Sequence, residues 1–153
     1  MKIKNYTSTV PVSESIRRIE IMLVEFGAQH IAKHYNGIAV AALIFSLPMP
    51  DGKGYIPVRL PVRADEVEKV LSAEVRRARR GTFEKIKDQA ARTAWKLMTD
   101  WIHVQCSLIT LGQVQPLEVF LPYVYDAKEK RTYFEAIQSG GFKALPYSGG
   151  QAE

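Results

Sequence analysis

The stretch AQHIAKHYNGIAVAALIFSL, residues 28–47, decides the architecture of this chain. Asn36-Gly37 is a preferred dipeptide for a two-residue type I′ turn, so residues 28–35 and 38–47 read as the two arms of a β-hairpin. The second arm is apolar at almost every position, which suits a central strand covered on both faces. Residues 48–54, PMPDGKG, are crowded with turn formers. Beyond them Ile56, Val58, Leu60 and Val62 alternate with Tyr55, Pro57, Arg59 and Pro61. That period of two marks a half-buried third strand, and its prolines place it at a sheet edge. The three strands form an antiparallel meander.

Helices surround this sheet in sequence. Upstream, residues 1–9 alternate loosely and read as an extended arm or edge strand. Ser13 is placed to cap a helix over residues 14–26, in which Ile16, Ile19, Leu23 and Phe26 recur at helical steps and Gly27 supplies the stop. Downstream, Asp65 opens a second helix with an apolar stripe of Val67, Val70, Leu71, Val75 and Ala78, closed by Gly81. Thr82 then caps a long helix over residues 83–111. Past its first two turns this helix is apolar almost all round, as expected of a core helix or one that meets a partner chain. Leu117, Val119 and Leu121 alternate between Pro116 and Pro122 and predict a short strand or turn. Residues 126–130 form a polar turn, and Thr132 caps a short helix stopped by Gly140-Gly141. The expected fold is α+β: a three-stranded antiparallel meander packed by helices, with a long central helix and a short C-terminal strand and helix. One domain over residues 1–147 and a flexible tail over 148–153, near Tyr147, complete the organisation.

The chain has 153 residues, 46% of them hydrophobic and 24% charged, which excludes wholesale disorder. It has one cysteine, Cys106, so it holds no internal disulfide and a reducing, cytoplasmic setting is the expectation. No apolar run reaches the ~18 residues of a membrane span. The formal net charge is +5. Residues 76–96 carry eight bases and two acids, whereas the other positions carry 13 bases and 14 acids. One segment therefore holds the whole excess. Clustered positive charge favours a polyanion as partner, because steering and counterion release both scale with it. The competing reading is a solvated helix end, where arginine and lysine are also favoured.

Tests for chemistry are negative. No phosphate cradle of the P-loop or dinucleotide type occurs, and Gly52-Lys53-Gly54 lies between strands. His30 and His34 fall on a strand, where side chains four apart stand about 13 Å from each other, too far for one ion. His103 and Cys106 lack any metal-binding context and read as packing residues. Asp100, on an otherwise apolar stretch, is expected to pair with Arg92 or Lys96, the latter lying at i,i+4. Asp51, Asp65, Glu118 and Asp126 are scattered without a paired spacing. No catalytic, metal or cofactor site is indicated.

The stretches NYTSTVPVSESIRRIE, AARTAWKLMTDWIHVQCSLI and EVFLPYVYD followed by TYFEAI, with the strands between them, resemble a family of short bacterial proteins found among phage, prophage and mobile-element genes. The resemblance spans residues 3–147 and implies no activity, cofactor or catalytic residue. It implies a mobile-element setting, in which handling of DNA and interference with a host protein are both common roles. The order helix, meander, helix over residues 14–80 also matches the topology of double-stranded-RNA-binding domains. Those domains place lysines at the start of the final helix, where this chain has Asp65, Glu66 and Glu68.

The expectation from sequence is a nonenzymatic nucleic-acid-binding or DNA-metabolism accessory protein. Its phosphate contacts are Arg76, Arg77, Arg79, Arg80, Lys85, Lys87 and Arg92, with Phe83 or Trp95 as a ring on which a base can stack. The alternative is a protein-interaction module or homo-oligomer that uses the apolar helix 94–111. A hydrolase built from the scattered carboxylates is a third, weaker reading. No membrane partner is expected.

Overall fold

The computed structural model describes residues 2–77 and 79–146. Among them the order is α1 (Val12–Glu25), β1 (Gln29–Asn36), β2 (Ala39–Pro48), β3 (Tyr55–Pro61), α2 (Ala64–Ala73), α3 (Thr82–Thr110) and α4 (Pro116–Phe120). A 3-10 turn over Leu121–Tyr123, a two-strand ribbon of β4 (Tyr125–Asp126) and β5 (Arg131–Thr132), and α5 (Tyr133–Ser139) follow. The fold is α+β. β1, β2 and β3 form an antiparallel meander with β2 in the centre.

The hairpin forms one residue later than Asn36-Gly37 predicts. Asn36 pairs with Ala39, which leaves Gly37 and Ile38 as the turn. Gly37 has φ +64°, and neither Asn36 nor Ile38 is left-handed. Positive φ at the first central position alone is the pattern of a type II′ turn, for which glycine is the favoured residue. Ile38 is left fully exposed at the tip. β1 also slips register between Gln29 and Ala32, and His30 there takes φ +52°.

The central strand is buried on one side. Leu43, Phe45 and Leu47 join Val58 and Leu60 of β3 in the core, facing Ile16, Ile19 and Leu23 of α1 and Trp95, Ile102 and Cys106 of α3. The other row of β2, Ala42, Ile44 and Ser46, lies outside that core. Ala42 is nonetheless buried, set between His34 and Pro61 on the neighbouring strands. The expected cover on both faces is thus met on one. β3 is an edge strand as its prolines require, and Val58 makes an isolated bridge to Val124 beyond it.

α1 begins at Val12 with Pro11, rather than Ser13, at the cap position. Proline at the boundary pre-sets φ and removes a donor that would have no helical acceptor. Glu14 in the first turn accepts from Arg17 and Arg18, which hold its carboxyl down to about 2. α1 and α3 run side by side in the same direction. Val12 lies near Ala91, Thr99 Oγ1 donates to the Ser15 carbonyl, and Glu25 is close enough to Cys106 to act on its thiol.

α2 stops at Ala73, well short of Gly81. Four arginines within five positions put like charges at i,i+3 and i,i+4 if the helix continues, which destabilises it. The predicted stripe therefore ends at Leu71, with Val75 in the connector and Ala78 outside the described residues. α3 starts after Gly81, in a left-handed conformation at φ +82°, so Gly81 and not Thr82 occupies the cap position. α3 buries Ala90, Thr93 and Ala94 on one side and Trp95, Thr99, Ile102 and Cys106 farther round, well over half of its circumference. Most of the apolar helix 94–111 is thereby enclosed, although Val104 and Leu111 remain exposed.

The segment after Gly112, expected as a short strand or turn, is a short helix followed by a 3-10 turn. Pro116 sits at the first helical position of α4, and Gln115 and Glu118 form a capping box. The rest of the C-terminal reading is met. Asp126 Oδ1 accepts from the N–H groups of Lys128 and Glu129, and Thr132 caps α5 with Glu135. Phe142 packs near Phe134, their ring centroids 6.1 Å apart. Tyr147 and the tail 148–153 lie outside the described residues.

Candidate functional site

The cationic segment divides into a connector, residues 74–81, and the first turns of α3. Arg76, Arg77, Arg79 and Arg80 all lie in the connector and all are exposed. They are not on the last turn of α2, which carries no base. A solvated helix end is therefore not their setting. The connector closes on itself at its far end: the Arg79 N–H donates to Thr82 Oγ1 at 2.9 Å, and the Thr82 N–H donates to the Arg79 carbonyl at 3.0 Å. The Arg79 backbone is fixed by this pair while its side chain stays in solvent. Among the described residues, no ion pair within 4 Å involves any of the four arginines, Lys85 or Lys87.

The three bases on α3 do not share one face. A helix turns about 100° per residue, which puts Lys85 and Arg92 on one side and Lys87 on the opposite side. Lys85 and Arg92 line a groove of about 600 Å³ with Leu71, Ile86, Asp88 and Gln89, against the end of α2. Asp88 offsets their charge. Arg92 is also engaged internally: its Nη2 donates to Gln89 Oε1 at 2.6 Å and its Nε to the Ser8 carbonyl at 3.3 Å. Arg92 is half-buried and holds the N-terminal arm. Lys87 lies on the exposed side of α3 with Phe83, one turn before it.

The two rings proposed for stacking have opposite fates. Trp95 is 1% exposed at the centre of the core, whereas Phe83 is 60% exposed beside the connector. α3 has no fully buried residue before Ala90; its first turns lie against the end of α2 on the Ile86 side and are open to solvent on the Phe83 and Lys87 side.

Asp100 belongs to a structural clip. Its carboxylate accepts from Lys96, from Lys4 Nζ at 2.7 Å and from Asn5 Nδ2 at 2.9 Å. Burial opposes ionisation, yet the hydrogen bonds from Lys4, Lys96 and Asn5 hold the carboxyl well below the usual carboxylate range. Gln89 Nε2 donates to the carbonyls of Tyr6 and Ser8, and Thr93 Oγ1 to that of Asn5. The arm is thus a turn pinned to α3. Sequence reasoning identified the Asp100–Lys96 pair but missed Gln89, Thr93 and the arm, because those contacts join residues more than 80 positions apart.

Other candidates are occupied by structural roles. Burial, helped by Glu25, pushes the Cys106 thiol up to about 11, which keeps it protonated at neutral pH. A concavity of about 650 Å³ lies at the β4–β5 ribbon, but Asp126 and Thr132 cap backbone there and Arg131 donates to Ser139 Oγ. His30 and His34 are exposed on β1. Among the described residues no three His, Cys, Asp or Glu side chains gather closely enough to hold a metal ion. No described helix is long and apolar enough to cross a membrane. No protein-family model, curated protein or solved structure matches the chain.

Proposed function

We propose that this protein is a nonenzymatic nucleic-acid-binding protein that grips phosphates through the α2–α3 connector and the solvent-exposed side of the start of α3. The observation that carries this reading is the exposure of Arg76, Arg77, Arg79 and Arg80 with no acidic partner within 4 Å among the described residues. Arginines that serve stability are ordinarily packed or paired, and these four do neither. Lys85 and Lys87 extend the patch along α3. Arg92, being engaged with the arm, is a positioning residue for the fold rather than a free phosphate ligand. The mobile-element setting implied by the resemblance is compatible with a DNA-handling role and is part of the same proposal.

Phosphate contacts of this kind are sequence-tolerant and release counterions. With about six cations engaged, log affinity should fall with log salt at a slope of roughly −4 to −5. The quadruple change Arg76→Glu, Arg77→Glu, Arg79→Glu and Arg80→Glu should abolish binding in a mobility-shift titration and move the melting temperature little, since the four side chains are exposed and make no ion pair among the described residues. Salt-independent binding, or binding retained by the quadruple variant, sinks the reading.

A further inference from the structure

We propose that the site takes single-stranded nucleic acid, with a base stacked on Phe83, and discriminates against duplex. This inference rests on the phosphate-binding reading above and adds to it the chemistry of the ligand. Phe83 has the highest exposure among the exposed aromatic rings of the described residues, and it occurs inside the cationic segment. The ring lies outside the apolar core and leaves most of its surface in solvent. It sits on the second residue of α3, two positions after Gly81 and three after Arg80.

The placement supplies both parts of a single-strand site. Phe83 and Lys87 are at i,i+4 and so lie one above the other on the same side of α3, about 6 Å apart along its axis. A base resting on the ring leaves its own phosphate within reach of the flexible lysine, and the adjoining phosphates meet the arginines of the connector. Ring and cations together make a stacking platform in an electrostatic funnel, the arrangement that binds unpaired strands. In a duplex the base faces are already stacked on one another, so the ring has no partner and only the phosphates remain. The Lys85–Arg92 side of α3 does not compete, because Asp88 shares that groove and Arg92 is tied to Ser8.

The test measures affinity by fluorescence anisotropy for three probes of about 12 nucleotides: oligothymidylate, the same length of abasic strand, and a duplex. Wild type is expected to bind oligothymidylate most tightly. Phe83→Ala should weaken that binding about tenfold, leave the abasic strand and the duplex unchanged, and leave the salt slope unchanged. Phe83→Trp should restore binding and Phe83→Leu should not, since bulk without a π face does not stack. Equal loss on all three probes, or no loss on any, overturns the stacking proposal while the phosphate-binding reading survives. Failure of wild type to bind any of the three removes both. Phe83 is solvent-exposed and makes no core contact, so its variants fold.

Discussion

Ser15 is the one described residue whose hydroxyl is buried with no hydrogen-bond partner. Its side chain is wholly enclosed between α1 and α3, although its carbonyl accepts from Thr99. An unsatisfied buried hydroxyl costs about 1–3 kcal/mol, and alanine is also the better helix former. Ser15→Ala should therefore stabilise the protein by about 0.5–1.5 kcal/mol, read as a higher denaturation midpoint at unchanged slope. A loss of stability would mean that the hydroxyl has a partner after all. Cys106, eleven residues along α3 from Trp95, shows the opposite case: a buried thiol is a weak donor that behaves as a small apolar group and carries little penalty.

At the scale of elements, the α2–α3 connector depends on Gly81. A methyl group at that position meets no heavy atom within 4 Å, so the cost of Gly81→Ala is confined to its backbone at φ +82°. That cost is about 1–2 kcal/mol, a fall in melting temperature of roughly 3–6 °C for a chain of this size. Gly81→Asn, which tolerates the left-handed region better, should lose less. Equal melting temperatures for glycine and alanine would show that the connector is free to choose another path. The elements also mark what sequence can and cannot disclose. The meander was legible because the turn glycine, the apolar run of β2 and the prolines of β3 each act locally. The cap of α5 was legible for the same reason, since Thr132 and Glu135 answer each other within one turn. α4 was misread because five residues are too few to display a 3.6-residue period, and Leu117, Val119 and Leu121 mimic alternation. The early end of α2 was hidden because the stripe through Val75 runs on after charge repulsion has stopped the helix.

Across the whole molecule, the candidate site was legible as a charge excess but not as a surface. Phe83 and Trp95 look equivalent in sequence, and only the packing of α3 against the sheet sends one to solvent and the other to the centre. The same long-range packing joins the arm to α3 at Asp100. With its folded value held below the ordinary 3.8, the Asp100 carboxylate adds stability that is complete above about pH 5 and lost as pH falls below about 4 toward the folded value. Asp100→Asn should cost about 1.5–3 kcal/mol at pH 7, and its deficit against wild type should shrink with acidification. Thermal melts at pH 7 and pH 3 read this directly. A deficit that stays constant across that interval would exclude a charged clip.

The arm has a further consequence for the order in which the chain acquires its shape. The arm shares a recess with Leu71 and Glu74 and is bonded to Gln89, Thr93 and Asp100 of α3, so it gains its place only as those residues emerge from the ribosome. α1 shares part of that delay, because it packs on α3 as well as on β2 and β3. The hairpin and β3 can pair early from neighbours in sequence, but closure of the apolar layer must wait for the long helix to emerge. Nascent chains halted before residue 89 should accordingly expose the arm to proteases that spare it in the folded protein.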